Sequence, residues 1–410
     1  MANRPAGTAE TDNPFRIGGV VAAPYFTDRE EERKRIRRSL TTPQDNLLVY
    51  GPRRMGKTSL LRLVQEELRQ DGQPIIMADL STATSLTEMT TRLLQAAARE
   101  LGRRWRDAAT DLVRRMQVKV TLEPDPATGM LLPSLGMGLA NADMTTQRST
   151  FAGALDAIEA MAVEKDQHLG IILDEFQEIH RFGGETAEAH LRGIIQHHQH
   201  LSYVLAGSDQ RLIQAMIGKS RPFYKLLAHL PVGPIDPGHF AAWIETRLAS
   251  VHIKADGIGE LLVRVAGPRT RDIVQLGHEL VEISRTKGEA TLEDVADAFT
   301  QIVRNADAPY RALWTGLSRL QQQVLRALAV RATGLTTAAT SREFALTAAS
   351  GSLTRTAQAL VAQDILVAVD GAYLFDDPFM RGWVILSTLP DLGRTLSVLH
   401  MPIPEYPPLA

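Results

Sequence analysis

Cysteine is absent from this chain of 410 residues, which excludes disulfide bonds and every metal site built on thiolates. No apolar run approaches the ~18 residues of a membrane helix, and the N-terminus has no signal-peptide pattern. A dominant charge is also missing, because 45 basic residues face 47 acidic ones and leave a net charge of −2. The chain as a whole therefore carries no excess of positive charge that would attract nucleic acid. These absences predict a cytoplasmic protein that does not associate with membranes.

The chain is long enough for several domains, since one hydrophobic core rarely grows beyond roughly 250–300 residues. Residues 1–12 are small and polar, which predicts a disordered N-terminus. From 13 to 236, apolar strands alternate with helical segments, and this alternation predicts a parallel sheet with helices on both faces. A predicted hairpin at about 117–140, with a turn rich in Pro, Asp and Gly, is an excursion from that core.

The strand pattern stops after residue 236. Residues 237–309 show helical periodicity and predict an all-α subdomain. Three helices and a hairpin follow over 310–386, with a strong turn signal at Asp370 and Gly371, and this order is typical of a winged helix. Residues 387–410 carry scattered prolines and predict an irregular C-terminal tail.

One glycine-rich stretch follows a short apolar strand and opens a helix. It consists of Gly51, Pro52, Arg53, Arg54, Met55, Gly56, Lys57, Thr58 and Ser59. Strand, G-x-x-x-x-G-K-T and helix is the context of a phosphate-binding P-loop, in which backbone N–H groups and the helix N-terminus stabilise phosphate charge. In this interpretation Lys57 reaches the β- and γ-phosphates and Thr58 ligates Mg²⁺. The alternative is a glycine-rich turn that matches the motif by chance.

Two acidic residues supply the second half of such a site. An apolar strand carries Asp174 to its end, where the carboxylate is expected to hold Mg²⁺, usually through water. Glu175 follows directly and is predicted to polarise the attacking water as a general base. The alternative is an acidic turn after a strand. Together with the P-loop, the pair predicts a nucleotide site that is competent for hydrolysis.

Other polar residues are weaker candidates. Ser208 ends a further strand and is predicted either to sense the γ-phosphate or the lytic water, or to cap the next helix. Transition-state charge normally requires a basic side chain from elsewhere. The candidates are Arg221, Lys225, Arg269 and Arg271, with a surface ion pair or a solvated side chain as the alternative for each.

The tract Gln196-His-His-Gln-His200 suggests either a metal site or the polar end of a helix. Adjacent histidines on a helix point in different directions, so two of them can converge on a metal only with outside ligands. The polar helix end is the favoured interpretation.

Taken together, the motifs resemble the archaeal-type ATPases, which belong to the STAND branch of the AAA+ ATPases. The resemblance covers roughly residues 13–385, and its two nucleotide motifs and C-terminal signature are specific in combination. It rests on Asn13-Pro-Phe15, Tyr25-Phe-Thr-Asp-Arg-Glu30, Tyr50-Gly-Pro-Arg-Arg-Met-Gly-Lys-Thr-Ser59, Leu173-Asp-Glu-Phe-Gln177, Ala206-Gly-Ser208, Leu317-Ser318, Tyr373 and Asp377-Pro-Phe-Met-Arg-Gly-Trp383.

This resemblance implies an α/β P-loop NTPase core of AAA+ type, followed by an all-α lid and a winged-helix domain. It also implies that ATP and ADP are the nucleotides, and that Phe26 and Arg29 lie near the adenine. The absence of an Asn-Lys-x-Asp guanine-reading motif agrees with this. Family members often carry arginine after the Pro-Phe-Tyr element, whereas this chain has Lys225, which lacks the planar fork of arginine. This departure favours slow hydrolysis.

A winged helix suggests duplex DNA as a partner, read by the third helix, at about 352–363. That helix carries one arginine and no lysine. From Arg311 to the C-terminus, eight arginines face seven acidic residues, a net charge of +1. DNA affinity comes largely from phosphate neutralisation, so the sequence supports the winged-helix shape better than DNA binding.

Three functions remain open at this stage. The first is a slow Mg²⁺-ATPase that acts as a conformational switch on an unidentified protein partner and can form homo-oligomers in the presence of ATP. The second is a DNA-associated ATPase, such as a loader or a regulator of transcription, transposition or defence. The third is a scaffold that binds nucleotide without hydrolysing it.

Overall fold

The computed structural model describes residues 13–17, 25–102, 107–116, 118–136, 139, 141–209, 213, 216, 223, 225–369 and 371–389. The predictions for residues 1–12, for Arg221, for Asp370 in the hairpin turn and for the tail from 390 onward lie outside these ranges. The described residues between Val20 and Gly233 form one compact unit, here called the sheet unit. Residues 13–17 and those from Pro234 onward form the other, here called the helical unit.

Helices and strands alternate through the sheet unit. In chain order the elements are α1 (Glu30–Thr41), β1 (Leu47–Tyr50), α2 (Lys57–Gln70), β2 (Ile75–Asp79), α3 (Leu86–Leu101), α4 (Ala108–Arg115), β3 (Val120–Pro124), β4 (Leu131–Leu135), α5 (Met144–Glu164), β5 (Leu169–Asp174), α6 (Glu178–Ile195), β6 (Leu201–Gly207) and β7 (Ala228–Pro231).

Five strands form one sheet in the order β2-β5-β6-β1-β7, and every neighbouring pair is parallel. All residues of β5 and β6 are buried, because helices pack on both faces of the sheet and leave these strands no exposed side. The predicted parallel sheet is confirmed. β7 was not predicted, since it is a short edge strand with mostly exposed residues and no apolar signal.

The strand register places three motifs at one edge of the sheet. Tyr50 pairs with Gly207, and Asp79 pairs with Asp174. Because the carboxyl ends of parallel strands meet at the same edge, the residues after β1, β5 and β6 are brought together there.

Two helices of the sheet unit differ from the sequence prediction. The helical periodicity from Leu86 to about Met116 predicts one continuous helix, but α3 ends at Leu101 and α4 begins only at Ala108. The sequence also predicts a helix over 187–199, whereas α6 begins nine residues earlier, at Glu178, and ends at Ile195. Gly184 interrupts this helix with φ 59° and ψ −165°. The glycines at this break obscured the helical pattern of its first half. The predicted hairpin is confirmed as the antiparallel pair β3 and β4.

The helical unit contains two groups of elements. The first group is α7 (Pro237–Ser250), α8 (Ile258–Ala266), α9 (Thr270–Ser284), α10 (Leu292–Asn305) and α11 (Asp307–Gly316). The second group is α12 (Arg319–Val330), α13 (Ala338–Glu343), α14 (Ser350–Ala362), the antiparallel strands β8 (Leu366–Val369) and β9 (Ala372–Phe375), and α15 (Pro378–Thr388).

One hydrophobic core runs through both groups. Phe299 of α10 packs against Phe379 of α15 with ring centroids 5.2 Å apart, and Trp314 of α11 meets Trp383 at 5.9 Å. Helix α11 spans the predicted boundary between 309 and 310, and α15 continues two residues into the predicted tail. The sequence therefore predicted the elements of the winged helix better than its limits.

Polar bonds join the same two groups. Arg269 donates from Nη1 to Asp376 Oδ2 at 2.6 Å, Trp383 Nε1 donates to Asp307 Oδ1 at 2.8 Å, and the Tyr310 hydroxyl donates to Asp377 Oδ2 at 2.9 Å. The helices α7–α11 and the winged helix are thus connected by both apolar and polar contacts.

The segment 13–17 is anchored in the helical unit. The Asn13 amide donates to the His278 carbonyl at 3.0 Å, and Phe15 is fully buried with its ring edge-on to Trp243 at 5.8 Å. Gly277 makes room for it, because a Cβ at that position would stand 2.9 Å from the Phe15 ring. The Phe15 anchor therefore depends on residues more than 200 positions along the chain.

Within the described ranges, no helix combines the length and the apolar character that crossing a bilayer requires.

Candidate active site

Two glycines shape the loop between β1 and α2. A Cβ at Gly51 would stand 2.1 Å from the carbonyl oxygen of Val232, which follows β7, so only glycine fits there. Gly56 adopts φ 86° and immediately precedes α2, a conformation that glycine tolerates without strain. The helix begins at Lys57, and the unpaired N–H groups of its first turn adjoin the loop. The loop thus has the backbone form of an anion-binding site.

Lys57 is buried at the start of α2. Its ammonium donates to the carbonyl oxygens of Gly51 and Pro52, both at 2.8 Å. The two arginines of the motif, Arg53 and Arg54, are exposed at the loop surface. The loop therefore carries one buried basic side chain, Lys57, and two exposed ones, Arg53 and Arg54.

The remaining residues of the motif support the loop. Met55 is buried in the core that contains Leu60 and Val232, while Pro52 and Ser59 are half-buried. Packing of Met55 ties the loop to the sheet below it.

Thr58 and Asp174 meet across the edge of the sheet. The Thr58 hydroxyl donates to Asp174 Oδ2 at 2.7 Å, and Asp174 is almost completely buried. Burial raises the pKa of Asp174; the Thr58 hydrogen bond opposes this rise, and the nearby carboxylates of Glu175 and Asp79 add to it. Negative charge is therefore disfavoured at this position unless a cation joins it.

This donor set fits Mg²⁺. A threonine hydroxyl and a carboxylate are hard oxygen ligands, and Thr58 keeps its oxygen lone pairs available while its proton bonds Asp174. In the described part of the chain, no group of three His, Cys, Asp or Glu side chains could hold a metal by itself. Mg²⁺ at nucleotide sites usually has one or two protein ligands, with phosphates and waters completing the shell.

Glu175 lies next to this pair in an uncommon backbone conformation. Its φ is 55°, and its N–H donates to Asp174 Oδ1 at 3.0 Å. The Ser208 hydroxyl donates to Glu175 Oε2 at 2.7 Å, and the Gln177 amide donates to the same oxygen. The predicted residues Thr58, Asp174, Glu175 and Ser208 are therefore joined by hydrogen bonds.

Gln177 is a site residue to which sequence reasoning gave no role, although it stands in the quoted motif. A buried polar residue at the start of a helix, two positions after a candidate base, was the available signal. The other role considered for Ser208, capping the next helix, involves residues outside the described ranges.

Phe26 and Arg29, the predicted adenine contacts, lie just before and at the start of α1. Phe26 is half-buried against the core cluster of β1 and α2. Arg29 is 5% exposed; it donates to the Gly233 carbonyl and, at 2.9 Å, to Glu32. Both residues support the segment that precedes the P-loop strand, and an adenine contact stays a prediction.

The basic candidates have different surroundings. Arg269 forms an ion pair with Asp376 inside the helical unit, which is the alternative considered for it. Lys225, with φ 61°, and Arg271 are exposed.

The histidine tract follows the end of α6 and contacts neighbouring elements. His198 Nδ1 lies 2.6 Å from the Tyr203 hydroxyl, and its Nε2 lies 3.0 Å from Asp156 Oδ1 of α5. The backbone N–H of His200 donates to Glu159 at 3.1 Å. These bonds agree with a polar helix end that is tied to the base of the sheet.

A parallel sheet with a P-loop after one strand and an acidic pair after another defines the class of P-loop ATPase folds. Residues 26–236 match a family described as an ATPase domain predominantly from Archaea, and residues 308–385 match a probable winged helix domain. The chain belongs to this family of ATPase domains. The predicted archaeal-type ATPase with a C-terminal winged helix is thereby confirmed, while assignment to the STAND branch stays a prediction.

Solved structures share the fold. The Walker-type ATPase of Pyrococcus abyssi is 17% identical, with a TM-score of 0.59 over 90% of this chain and 99% of that one. The ORC2 protein of Aeropyrum pernix, in ADPNP-ADP complexes, is 16% identical, with a TM-score of 0.54 over 93% of this chain and 99% of that one. At these identities the likeness shows the fold alone. A search of curated proteins found no match.

Proposed function

We propose that this protein is a slow Mg²⁺-dependent ATPase whose nucleotide state controls its interaction with a protein partner. The observation that carries the proposal is the hydrogen-bonded series Thr58–Asp174–Glu175–Ser208 at the mouth of the P-loop. A phosphate-binding turn by itself would need none of these acidic groups. The burial of Asp174 and the hydrogen bonds that join these groups support hydrolysis in addition to binding.

Each residue has a distinct part in this mechanism. Lys57 and the N–H groups at the start of α2 bind the β- and γ-phosphates. Thr58 and Asp174 are the residues that would hold Mg²⁺, and the ion would neutralise phosphate charge there. Glu175 accepts a proton from the water that attacks the γ-phosphorus, the bond to the ADP oxygen breaks, and phosphate and ADP leave. Ser208 fixes the orientation of Glu175.

The basic side chains that are candidates for stabilising transition-state charge favour slow hydrolysis of ATP. Lys225 stands where relatives often have arginine and provides charge without a bidentate fork. Arg269 is already committed to Asp376. Because stabilisation of transition-state charge by arginine contributes a large part of the rate in P-loop enzymes, a lysine at position 225 favours slow hydrolysis and long retention of nucleotide.

The switch role is supported by the division of the chain into two compact units. The chain passes between them twice, once between residues 17 and 25 and once at Gly233–Pro234. Each unit has its own hydrophobic core. A change of nucleotide in the sheet unit can therefore be transmitted to a second compact unit, the helical unit.

A DNA-associated ATPase is the second candidate, because residues 308–385 match a winged helix. The arginines of that region argue against DNA binding, because several of them already have partners within the protein. Arg331 pairs with Glu343 at 2.8 Å, Arg311 pairs with Asp307 at 3.0 Å, and Arg326 lies over the Trp314 ring at 5.5 Å. Helix α14 offers only Arg355 for phosphate contact.

The test compares steady-state ATP hydrolysis by the wild type and by Glu175→Gln. The variant should bind Mg²⁺-ATP with wild-type affinity and hydrolyse it at least about 100-fold more slowly, the usual contribution of a general base. Glu178→Gln is the matched control, because Glu178 lies three residues away, pairs with Arg181, and should keep wild-type activity. Equal, near-zero rates in wild type and Glu175→Gln, with nucleotide still bound, would instead show a non-hydrolysing scaffold.

The partner is tested with the same variant. Glu175→Gln loaded with ATP should capture a protein partner that the ADP-loaded wild type releases. Light scattering of the two states checks whether ATP also promotes homo-oligomers. Capture of duplex DNA in place of protein would favour the second candidate.

A further inference from the structure

Gln177 occupies a special place beside the proposed base. It lies two residues after Glu175, is 2% exposed and immediately precedes α6. The N–H of Phe176 donates to the Ala206 carbonyl at 2.7 Å, which continues the pairing of β5 with β6 past Asp174 and fixes the backbone at this point. The Gln177 side chain makes no capping bond to α6. The Gln177 side chain therefore has a role other than capping this helix.

The side chain is directed at Glu175. Gln177 Nε2 donates to Glu175 Oε2, the oxygen that also accepts the Ser208 hydroxyl at 2.7 Å. Two donors from different strand ends thus converge on one carboxylate oxygen. A carboxylate held in this way has a fixed orientation, with its second oxygen, Oε1, turned to the other side.

The surroundings of Gln177 favour this contact over a purely structural role. Its own amide oxygen is buried and accepts no hydrogen bond within the described residues. A buried acceptor without a partner is destabilising, so a residue placed only for stability would better be apolar. Gly207 makes the room: a Cβ there would stand 2.6 Å from Gln177 Oε1 and 2.6 Å from Ile213 Cδ1.

We propose that Gln177 is a positioning residue for hydrolysis. It and Ser208 hold Glu175 by Oε2, so that Oε1 faces the attacking water. This inference rests on the proposed function, because it assigns Gln177 a part in the same reaction.

The direct test is Gln177→Met, which keeps the length and burial of the side chain and removes the donor. We expect kcat to fall by about 10- to 100-fold, with KM and the Kd for Mg²⁺-ATP within about twofold of wild type, since orientation acts on the chemical step. Gln65→Met is the matched control. Gln65 is also a buried glutamine that donates from Nε2, to the Ile75 carbonyl at 2.8 Å, and it does not bond Glu175. Its variant should keep wild-type kcat.

A second variant is designed to disrupt the hydrogen bond between Gln177 and Glu175 without replacing Gln177. Gly207→Ala should displace the Gln177 amide and lower kcat to a similar degree. The double variant should be no slower than the slower single one, because both changes remove one interaction. Gly193→Ala is its control, since a Cβ at Gly193 of α6 meets no atom within 4 Å. This pair keeps the proposal testable if Gln177→Met folds poorly.

The outcomes separate the two levels of inference. Unchanged kcat in Gln177→Met and Gly207→Ala, with activity lost in Glu175→Gln, would refute the role of Gln177 and leave the proposed ATPase intact. A rise of kcat in both variants would show that Gln177 holds Glu175 away from the water, which also overturns the proposal. Absence of hydrolysis in the wild type itself would overturn the proposed function and this inference together.

Discussion

Buried polar groups serve different purposes in the two units. In the sheet unit, Thr58 of α2, Asp174 and Glu175 at the end of β5, and Ser208 after β6 converge on one place at the sheet edge. In the helical unit, bonds such as that from Trp383 to Asp307 each join one pair of helices, and they are spread through the structure. The first arrangement forms a site, and the second connects two groups of elements.

The acidic residues show the difference most clearly. Burial raises the pKa of Asp174, so its charge is costly in the folded protein. Hydrogen bonds from Trp383 and Arg311 lower the pKa of Asp307, so its charge is favourable there. A carboxylate whose ionised form is destabilised by burial, such as Asp174, is a candidate binding group. A carboxylate whose ionised form is stabilised by hydrogen bonds, such as Asp307, has a structural role.

The largest effect that would test this contrast is expected for Lys57→Ala. Loss of the buried ammonium should weaken Mg²⁺-ATP binding by about 1000-fold, or roughly 4 kcal/mol, because a charge-assisted contact to phosphate disappears. Isothermal titration calorimetry measures this directly. Lys165→Ala, an exposed lysine that ends α5, is the control and should bind normally. Affinity within tenfold of wild type in Lys57→Ala would refute the phosphate-binding assignment.

Arg269→Ala tests the helical unit. Removal of one partner from a largely buried ion pair should lower the free energy of unfolding by about 3 kcal/mol, while kcat of the folded protein stays within about twofold of wild type. Chemical denaturation and ATPase assays give the two values. Arg271→Ala, at an exposed site, should change stability by less than about 0.5 kcal/mol. A large fall in kcat with unchanged stability would make Arg269 a catalytic arginine.

Asp174→Asn tests the raised pKa without nucleotide or Mg²⁺. The folded state binds the Asp174 proton more tightly than the unfolded state, so the stability from this group is present below the unfolded pKa of 3.8 and is lost as pH rises through the higher folded pKa. At neutral pH the variant should therefore be more stable than wild type, and the difference should shrink as pH falls.

Urea denaturation of both proteins over this pH range supplies the measurement for Asp174→Asn. Asp71→Asn, at an exposed residue paired with Arg37, serves as the comparison for the substitution itself. If Asp174→Asn were less stable than wild type at neutral pH, the aspartate would be an architectural group like Asp307.

The smallest effect concerns DNA. The logarithm of affinity falls with the logarithm of salt concentration by about 0.9 for each phosphate contacted. We expect a slope below about 3 for duplex DNA and a change below about threefold in Kd for Arg355→Ala, because most arginines of the winged helix already have partners. Fluorescence anisotropy at several salt concentrations tests this, with Arg304→Ala of α10 as the control. A steep dependence of DNA affinity on salt concentration, reduced by Arg355→Ala, would favour DNA as the partner.

The sequence predicted the class of fold and the central motifs, because these depend on local patterns. The P-loop has its glycines at the two positions that need them, and continuous apolar runs mark β5 and β6. The edge strand β7 carries no such pattern and escaped prediction. Its place next to β1 depends on tertiary pairing alone.

The contacts within the site were beyond sequence reasoning. Nothing local shows that Ser208 and Gln177 share one oxygen of Glu175, since Ser208 lies 33 positions away from Glu175 and reaches it through the pairing of β5 with β6. In the same way, the ion pair of Arg269 with Asp376 spans 107 positions. Both are products of the register and packing of elements, which a motif does not encode.

The Phe15 anchor gives the helical unit a discontinuous chain. During synthesis Phe15 leaves the ribosome before the sheet unit, whereas Trp243 and Gly277, against which it packs, emerge only after that unit. Because domains tend to fold in the order of their synthesis, the sheet unit can complete its core before Phe15 packs against these residues. The helical unit is thus completed after the sheet unit, although its residues 13–17 precede that unit in the chain.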